Sequence, residues 1–396
     1  MTRRERAFLV LGLVALAVNL RPAAVSIGPV LDDIRHGLHM SSSTAGLLTT
    51  LPVLCFAGFG SVAPWFGRTL GVHRVMLAAL VVTAVGLVTR ATAHSAWFFL
   101  LATVPALAGM ATANVLIPSL VKLHFPHRIG FMTAVYSTAL AVGLTGASVL
   151  TVPFANLTGS WRGGIGAWAV PALLAALPWF LLAGHDVKPP AMPSRSLTTR
   201  MLWRSSLAWS MALLFGIQSL QAYAVFGWLP QIFRDAGFSA ETAGLLLGVT
   251  TATSIPISLL LPGYAARSPH QGRIIVALCA TWMVGYAGLL AAPSRAPWLW
   301  ALLVGVGTGI FPLVLMLIGL RAHTSEGTAA LSGFAQGIGY LIAGIGPFMM
   351  GVLNDATGGW TVPLVVLVCL LVPQALCGLL VARVRYIEDE LIIPAA

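Results

Sequence analysis

Of 396 residues, 58% are hydrophobic and only 8% are charged, about one-third of the charge fraction usual in a soluble domain. Apolar stretches of the roughly 20 residues needed to cross a bilayer recur from one end to the other, which excludes a water-soluble globular protein and leaves no room for a separate soluble domain. The net charge of +11 would suit nucleic acid, but its placement along the chain reads as membrane topology and argues against that partner.

Apolar runs between polar breaks predict an all-α membrane protein with twelve transmembrane helices. The first six lie near 7–31, 43–66, 73–93, 96–120, 129–153 and 163–183, and the second six near 207–232, 240–262, 273–292, 297–320, 328–352 and 361–382. The opening "MTRRERAFLVLGLVALAVNLRPAAV" has the basic, apolar, small-residue order of a cleavable leader, yet it fits equally as the first of many spans and is read so. With the N-terminus in the cytoplasm, sixteen Lys and Arg residues fall on that side and five on the other: Arg35, Arg90, Arg162, Arg234 and Arg295. This is the positive-inside bias, with both termini cytoplasmic.

The first span carries Arg21 beside Pro22. Counting fifteen residues from Arg6 at about 1.5 Å each puts Arg21 about 22 Å along a helix, too deep to reach either surface easily. An arginine there costs at least about 2.5–3.5 kcal/mol on insertion scales, and such residues mark substrate paths. All eleven acids fall in loops, termini or span ends, so a substrate anion is the natural charge partner; the competing reading is a structural arginine solvated by carbonyls. Pro22 removes the hydrogen bond to the Val18 carbonyl and predicts a kink. Gly28 and Pro29 weaken the outer end, and the three together form a candidate gate. Asn19 lies nearby in sequence but on another face.

Further along the chain, Thr49 and Thr50 fall early in span two, Asn114 in span four, and Tyr136 and Ser137 in span five. Residues 185–206, rich in Pro, Ser and basic side chains, predict a cytoplasmic linker between an N-terminal bundle (1–184) and a C-terminal bundle (207–396). Span seven offers Gln218 and Gln221, three apart and on one face, followed by Tyr223. Span eleven offers Gln336 and Tyr340, four apart, in a glycine-crowded run, "GFAQGIGYLIAGIGP". Amides and phenols are neutral donors suited to a small, weakly basic anion or a nitro group. Each also has a bland reading, since membrane helices use Asn, Gln and Ser to bridge to neighbours. Cys55, Cys279, Cys369 and Cys377 have neither disulfide nor zinc spacing and read as small packing residues. No cofactor or metal is implied. The nine histidines lie outside the span interiors, so no core side chain is an obvious proton carrier. Facilitated diffusion, anion exchange and co-transport with a substrate-borne proton all remain open. Convergent His, Asp, Glu or Cys groups for an enzyme are absent.

The halves repeat. "STAGLL" at 43–48 matches "ETAGLL" at 241–246, and "NLTGSW" at 156–161 matches "DATGGW" at 355–360. Lys122 falls on Arg321 at the same spacing. A duplicated six-span unit is an architecture of secondary transporters. With its basic central linker, the chain resembles the major facilitator superfamily. The loop "APWFGRTLGVHRVM", 63–76, keeps Gly67, Arg68, Gly71 and Arg74 of that superfamily's signature but lacks its Asp. More narrowly, "LLTTLP" at 47–52, "NVLIPSLVK" at 114–122, "FPH" at 125–127, "GWLP" at 227–230, "IGLRA" at 318–322 and "ALSGFAQGIGYLIAGIGP" at 330–347 resemble bacterial cyanate and nitroimidazole transporters. The resemblance implies two six-helix halves related by a pseudo-twofold axis, a monomer in the bacterial inner membrane, and a cavity lined by spans one, four, seven and ten, which favours Asn114 and Gln218. It implies carriage of a small, cyanate-like anion, for which the residues themselves offer Arg21 as charge partner, or else export of nitroimidazole or other drug-like molecules.

Overall fold

The computed structural model describes residues 3–40, 42–185 and 199–392, so most of the predicted linker lies outside the described residues. The elements are helices α1 (Arg3–Val18), α2 (Pro22–Val25), α3 (Leu31–Gly37), α4 (Ser42–Leu70), α5 (Val72–Ala91), α6 (Ala96–His124), α7 (Ile129–Thr158), α8 (Trp161–Gly166) and α9 (Ala169–Leu182). They continue with α10 (Thr199–Leu202), α11 (Ser206–Asp235), α12 (Ala240–Ala252), α13 (Ser254–Arg267), α14 (Gln271–Ala291), α15 (Pro297–Gly307), α16 (Ile310–Leu320), α17 (Ser325–Thr357), α18 (Thr361–Ala382) and α19 (Ile387–Ile392). No strand occurs among the described residues. Among them, 11 segments are long and apolar enough to cross a membrane, and they fall on predicted spans one and three to twelve. The 29-residue α4 occupies the place of span two.

Four predicted spans are discontinuous, and one rule locates every break. α1 stops at Val18, α8 gives way to α9 around Ala167, α12 stops at Ala252, and α15 gives way to α16 around Thr308. Each of these residues lies four before a proline: Pro22, Pro171, Pro256 and Pro312. A proline has no N–H for the carbonyl four residues back, and its ring crowds that carbonyl. The sequence predicts only a kink at Pro22. The structure shows a full interruption there, with Asn19, Leu20 and Arg21 outside any helix.

The chain divides into two compact units. The first comprises Met1–Leu120 and Val135–Ser196, and the second Val121–Ala134 and Leu197–Ala396. The grouping departs from the sequence boundaries at 121–134, the end of α6 and the start of α7. Within the first unit, α4 and α5 are joined by Gly71 alone, whose φ of 90° is open to glycine and strained for other residues; this is a glycine of the 63–76 loop. Within the second unit, α11 and α17 cross closely: a Cβ at Gly339 would meet the Phe215 ring, and one at Gly346 the Leu220 carbonyl. The glycines of span eleven therefore serve close helix packing. Cys55, Cys279 and Cys377 are buried, whereas Cys369 is exposed on α18, so it does not pack within the bundle as expected.

The second unit ends in an anchored tail. The Glu390 carboxylate accepts from the Ser206 amide at 2.7 Å, the Ser205 and Ser206 hydroxyls at 2.8 Å each, and the Leu207 amide at 3.2 Å. Glu388 accepts from the amides of His323 at 2.9 Å and Thr324 at 3.0 Å and from the Thr324 hydroxyl at 2.8 Å. Asp389 pairs with His323 at 3.1 Å. The two glutamates thus occupy the N-terminal ends of α11 and α17, where orphan amides and the helix dipole favour an anion. Burial alone raises the Glu390 carboxyl, but hydrogen bonds from Ser206, Ser205 and Leu207 outweigh it and hold it below its ordinary value. Its stabilising contribution is therefore complete above the ordinary carboxylate pKa of about 4.3 and is lost as pH falls through the lowered folded value. Glu388→Ala and Glu390→Ala each remove charge-assisted bonds worth about 2 kcal/mol. Amide hydrogen exchange at Thr324 and at Ser206 and Leu207, respectively, is expected to accelerate about 30-fold; unchanged exchange would contradict the capping role.

Candidate functional site

The first span is built around its interruption. The Asn19 amide bonds back to the Leu16 carbonyl at 2.9 Å and the Leu20 amide to Ala17 at 3.2 Å, tightening the end of α1 into three-residue closures. Arg21, with φ −117° and ψ −31°, restarts the helix: its carbonyl accepts from the amides of Ala24 at 3.1 Å and Val25 at 3.0 Å. Its side chain is half-buried. Pro22 is buried as the first residue of α2, while Gly28 and Pro29 are exposed in a 3₁₀ turn, Gly28–Val30. Asn19 is buried, and its side-chain amide donates to the Ala15 carbonyl at 2.8 Å and the Pro171 carbonyl at 3.1 Å, tying the first span to α9.

The Val18 carbonyl, which Pro22 cannot serve, faces Gly143 of α7. A Cβ built on Gly143 would fall on that oxygen, so the glycine's own hydrogen faces it, a weak Cα–H···O contact of the kind found at close helix crossings. Gly143→Ala is expected to force α7 off the break and to destabilise the protein by about 1–3 kcal/mol, as overpacking does. Thermal unfolding in detergent measures this, and a variant as stable as the parent would contradict the close crossing.

A second arginine holds the far side of the break. Arg90, in the last turn of α5, is 0% exposed. Its Nη1 donates to the Ala23 carbonyl at 2.5 Å and its Nη2 to the Ser26 hydroxyl at 3.0 Å. The sequence places Arg90 at the outer end of the third span, on the charge-poor side; the structure adds that the side chain turns into the bundle and binds the end of α2. The overlooked signal was the short, weakly polar connection after it, "ATAHSAWFF", which offers little polar surface for a guanidinium. Beneath lies an apolar cluster including Ile27, Val30, Ile34, Phe99 and Ile165.

The remaining predicted residues divide between the units. In the first, Asn114, Tyr136 and Ser137 are buried on α6 and α7. The side chains of Thr49 and Thr50 lie outside the described residues. In the second, Gln218 is buried and accepts from the Ser219 hydroxyl at 3.1 Å. Gln221 donates to the Gln374 side chain of α18 at 2.8 Å. Gln336 donates to the Ser332 hydroxyl one turn earlier at 2.8 Å. Tyr340 is buried edge-on against Phe215, with ring centroids 5.1 Å apart, and Tyr223 is half-buried. The amides of Asn19 and Gln221 are thus committed to neighbouring helices.

Charge stays at the helix ends. Asp235 closes α11, accepting from Gln231 at 2.7 Å and Trp360 at 2.7 Å. Glu326 opens α17 and Asp355 lies in its last turn. Among the described residues no group of three or more His, Cys, Asp or Glu is placed to hold a metal ion.

Many apolar spans, several broken at mid-length and burying amides and arginines, define a membrane transport protein. The sequence profile of the Major Facilitator Superfamily matches residues 7–347. The chain is 37% identical over 383 residues to the uncharacterized transporter YycB of Bacillus subtilis, covering 96% of this chain and 94% of that protein. It is 35% identical over 386 residues to the 2-nitroimidazole transporter of Escherichia coli, covering 97% and 98%. It is 29% identical over 355 residues to the cyanate transport protein CynX of the same organism, covering 89% and 91%. In fold it superposes on the proton:xylose symporter XylE with a TM-score of 0.75 at 14% identity over 93% of this chain and 94% of that one. With the fucose transporter FucP in its outward conformation the TM-score is 0.73 at 14% identity, over 95% and 98%. The chain belongs to the major facilitator superfamily, within its cyanate and nitroimidazole transporter family, and is a transporter rather than an enzyme.

Proposed function

We propose that this protein moves a small, cyanate-like anion across the bacterial inner membrane by alternating access, with both termini in the cytoplasm and Arg21 as the charge partner of the substrate. The observation that carries this reading is the position of Arg21 at the interruption of the first span. Broken helices are where carriers of this general kind present polar groups to substrates, and an arginine at membrane depth is retained for function. Asn114, Tyr136, Gln218, Gln336 and Tyr340 are proposed as neutral partners, with Asn19 and Gln221 holding the helices that carry them. Pro22, Gly28 and Pro29 are the flexible points of the gate.

The 35% identity to the 2-nitroimidazole transporter over almost the full length favours a second reading, export of a neutral nitroaromatic, with Arg21 donating to the nitro group. Uptake of labelled cyanate, nitrate, formate and 2-nitroimidazole into proteoliposomes, with and without a pH gradient, separates the two. The anion reading expects saturable cyanate uptake that nitrate or formate inhibits. Saturable transport of 2-nitroimidazole with no anion carried overturns it in favour of the second.

A further inference from the structure

A cavity of about 990 Å³ opens within the second unit, where the turn Pro126–Arg128 and the start of α7 meet the C-terminal end of α13. Its lining includes Arg128, His127, Arg267 and His270 and contains no acidic residue. One wall is different in kind: Leu260 is 69% exposed, Tyr264 67% and Phe131 56%. A Cβ at Gly130 would fall on Ala266 and close to the Pro262 carbonyl, so the two chain segments are in direct contact at the floor. The groove therefore offers cationic groups at the helix ends and outward-facing apolar side chains one to two turns deeper along the spans. That sequence of chemistries, charge first and hydrocarbon beneath, is the profile of a phospholipid at a membrane surface. The arginines also belong to the set that the charge bias assigns to the cytoplasmic side, where anionic headgroups attract basic segments and basic pockets bind them.

We propose that this groove binds an anionic phospholipid. The guanidinium groups of Arg128 and Arg267 donate to the headgroup phosphate, whose oxygens suit the planar arginine fork, and an acyl chain lies along Leu260, Tyr264 and Phe131. A soluble phosphate would use the arginines but leave the apolar wall unmatched, so the lipid is the better occupant. The site shares no residue with the proposed substrate path and stands whether the cargo is an anion or a nitroaromatic.

The test is native mass spectrometry of the full-length protein in detergent, titrated with dioleoylphosphatidylglycerol or dioleoylphosphatidylcholine, with inorganic phosphate as competitor. Each basic side chain against an anionic headgroup is worth about fivefold. Wild-type protein is therefore expected to bind the phosphatidylglycerol at least about 10-fold more tightly than the phosphatidylcholine. Arg128→Gln combined with Arg267→Gln is expected to weaken phosphatidylglycerol binding by about 25-fold, and the corresponding double lysine variant to retain most of it. Equal binding of the two lipids overturns the proposal, as does an undiminished preference in the double glutamine variant. Displacement of the lipid by millimolar phosphate would reassign the groove to a soluble anion. Should the glutamine variant fail to fold, the wild-type lipid preference and the lysine variant still decide the matter.

Discussion

Arg21→Gln is expected to reduce uptake of a small anion by about 10- to 100-fold, the loss of one charge-assisted hydrogen bond of about 1.5–3 kcal/mol, while thermal unfolding stays close to wild type. The fold is expected to survive because the backbone of residue 21, not its side chain, closes the first turn of α2 through the amides of Ala24 and Val25. The interruption lies at Pro22, and neither that proline nor the partners of the break at Gly143, Arg90 and Asn19 are touched by the substitution. Arg21→Lys keeps the charge but replaces a planar five-donor fork with a compact ammonium on a different stem, so it is expected to recover little. The measurement is initial uptake of labelled cyanate into proteoliposomes at several concentrations. A rise in KM reports weakened capture, whereas a fall in rate alone would place the arginine in the conformational step. Normal uptake by the glutamine variant removes Arg21 from the substrate path. Loss of folding makes it a structural residue instead.

The spans were legible because the bilayer demands long apolar runs. Their interruptions were only half legible. Each break lies four residues before a proline, yet Pro52, Pro64, Pro105, Pro118 and Pro153 sit inside helices that continue past them. The local sequence thus marks where a carbonyl loses its donor without saying whether the chain opens there. At Pro22 long-range partners are in place. Gly143 faces the Val18 carbonyl, Arg90 holds the Ala23 carbonyl, and Asn19 reaches Pro171. These partners come from α7, α5 and α9, separated from the break by 67 to 152 residues, and no local window contains them. Polar groups freed in a membrane helix are tolerated where neighbouring helices satisfy them again.

Spacing likewise fixed faces but not what covers them. Gln218 and Gln221 share a face of α11, yet Gln221 meets Gln374 of α18, and Gln336 turns to Ser332 on its own helix. The run Glu388, Asp389, Glu390 read as terminal loop charge. The structure makes its two glutamates helix caps and pairs Asp389 with His323, because the chain after Val381 turns back: Arg321 donates to the carbonyls of Val381 at 2.7 Å and Ala382 at 2.9 Å, and the Ile387 amide returns to the Arg321 carbonyl at 2.9 Å. The correspondence of Lys122 with Arg321 located this residue at the end of its span. Its bonds to the tail required the third dimension.

Arg90→Met is expected to destabilise the protein by about 2–3 kcal/mol and to depress transport of every substrate alike. The methionine fills much of the lost volume, so the effect isolates the polar contacts. Without the guanidinium, the Ala23 carbonyl and the buried Ser26 hydroxyl lose their donor, and each buried group left unsatisfied costs about 1–3 kcal/mol. Relief from burying a cation offsets part of that sum, which is why the expected net cost is nearer one such penalty than two. Ser26→Ala removes the smaller contact and is expected to cost about 1 kcal/mol; because it and Arg90 share a bond, the double variant should lose less than the two single changes added together. Thermal unfolding of the four proteins closes the cycle. Uptake then distinguishes the two arginines. Arg21→Gln is expected to discriminate against anions at near-normal stability, whereas Arg90→Met loosens α2 and lowers all transport in step with stability. An Arg90→Met protein of wild-type stability would mean that the buried guanidinium is no clamp, and a change in its substrate preference would move Arg90 into the pathway.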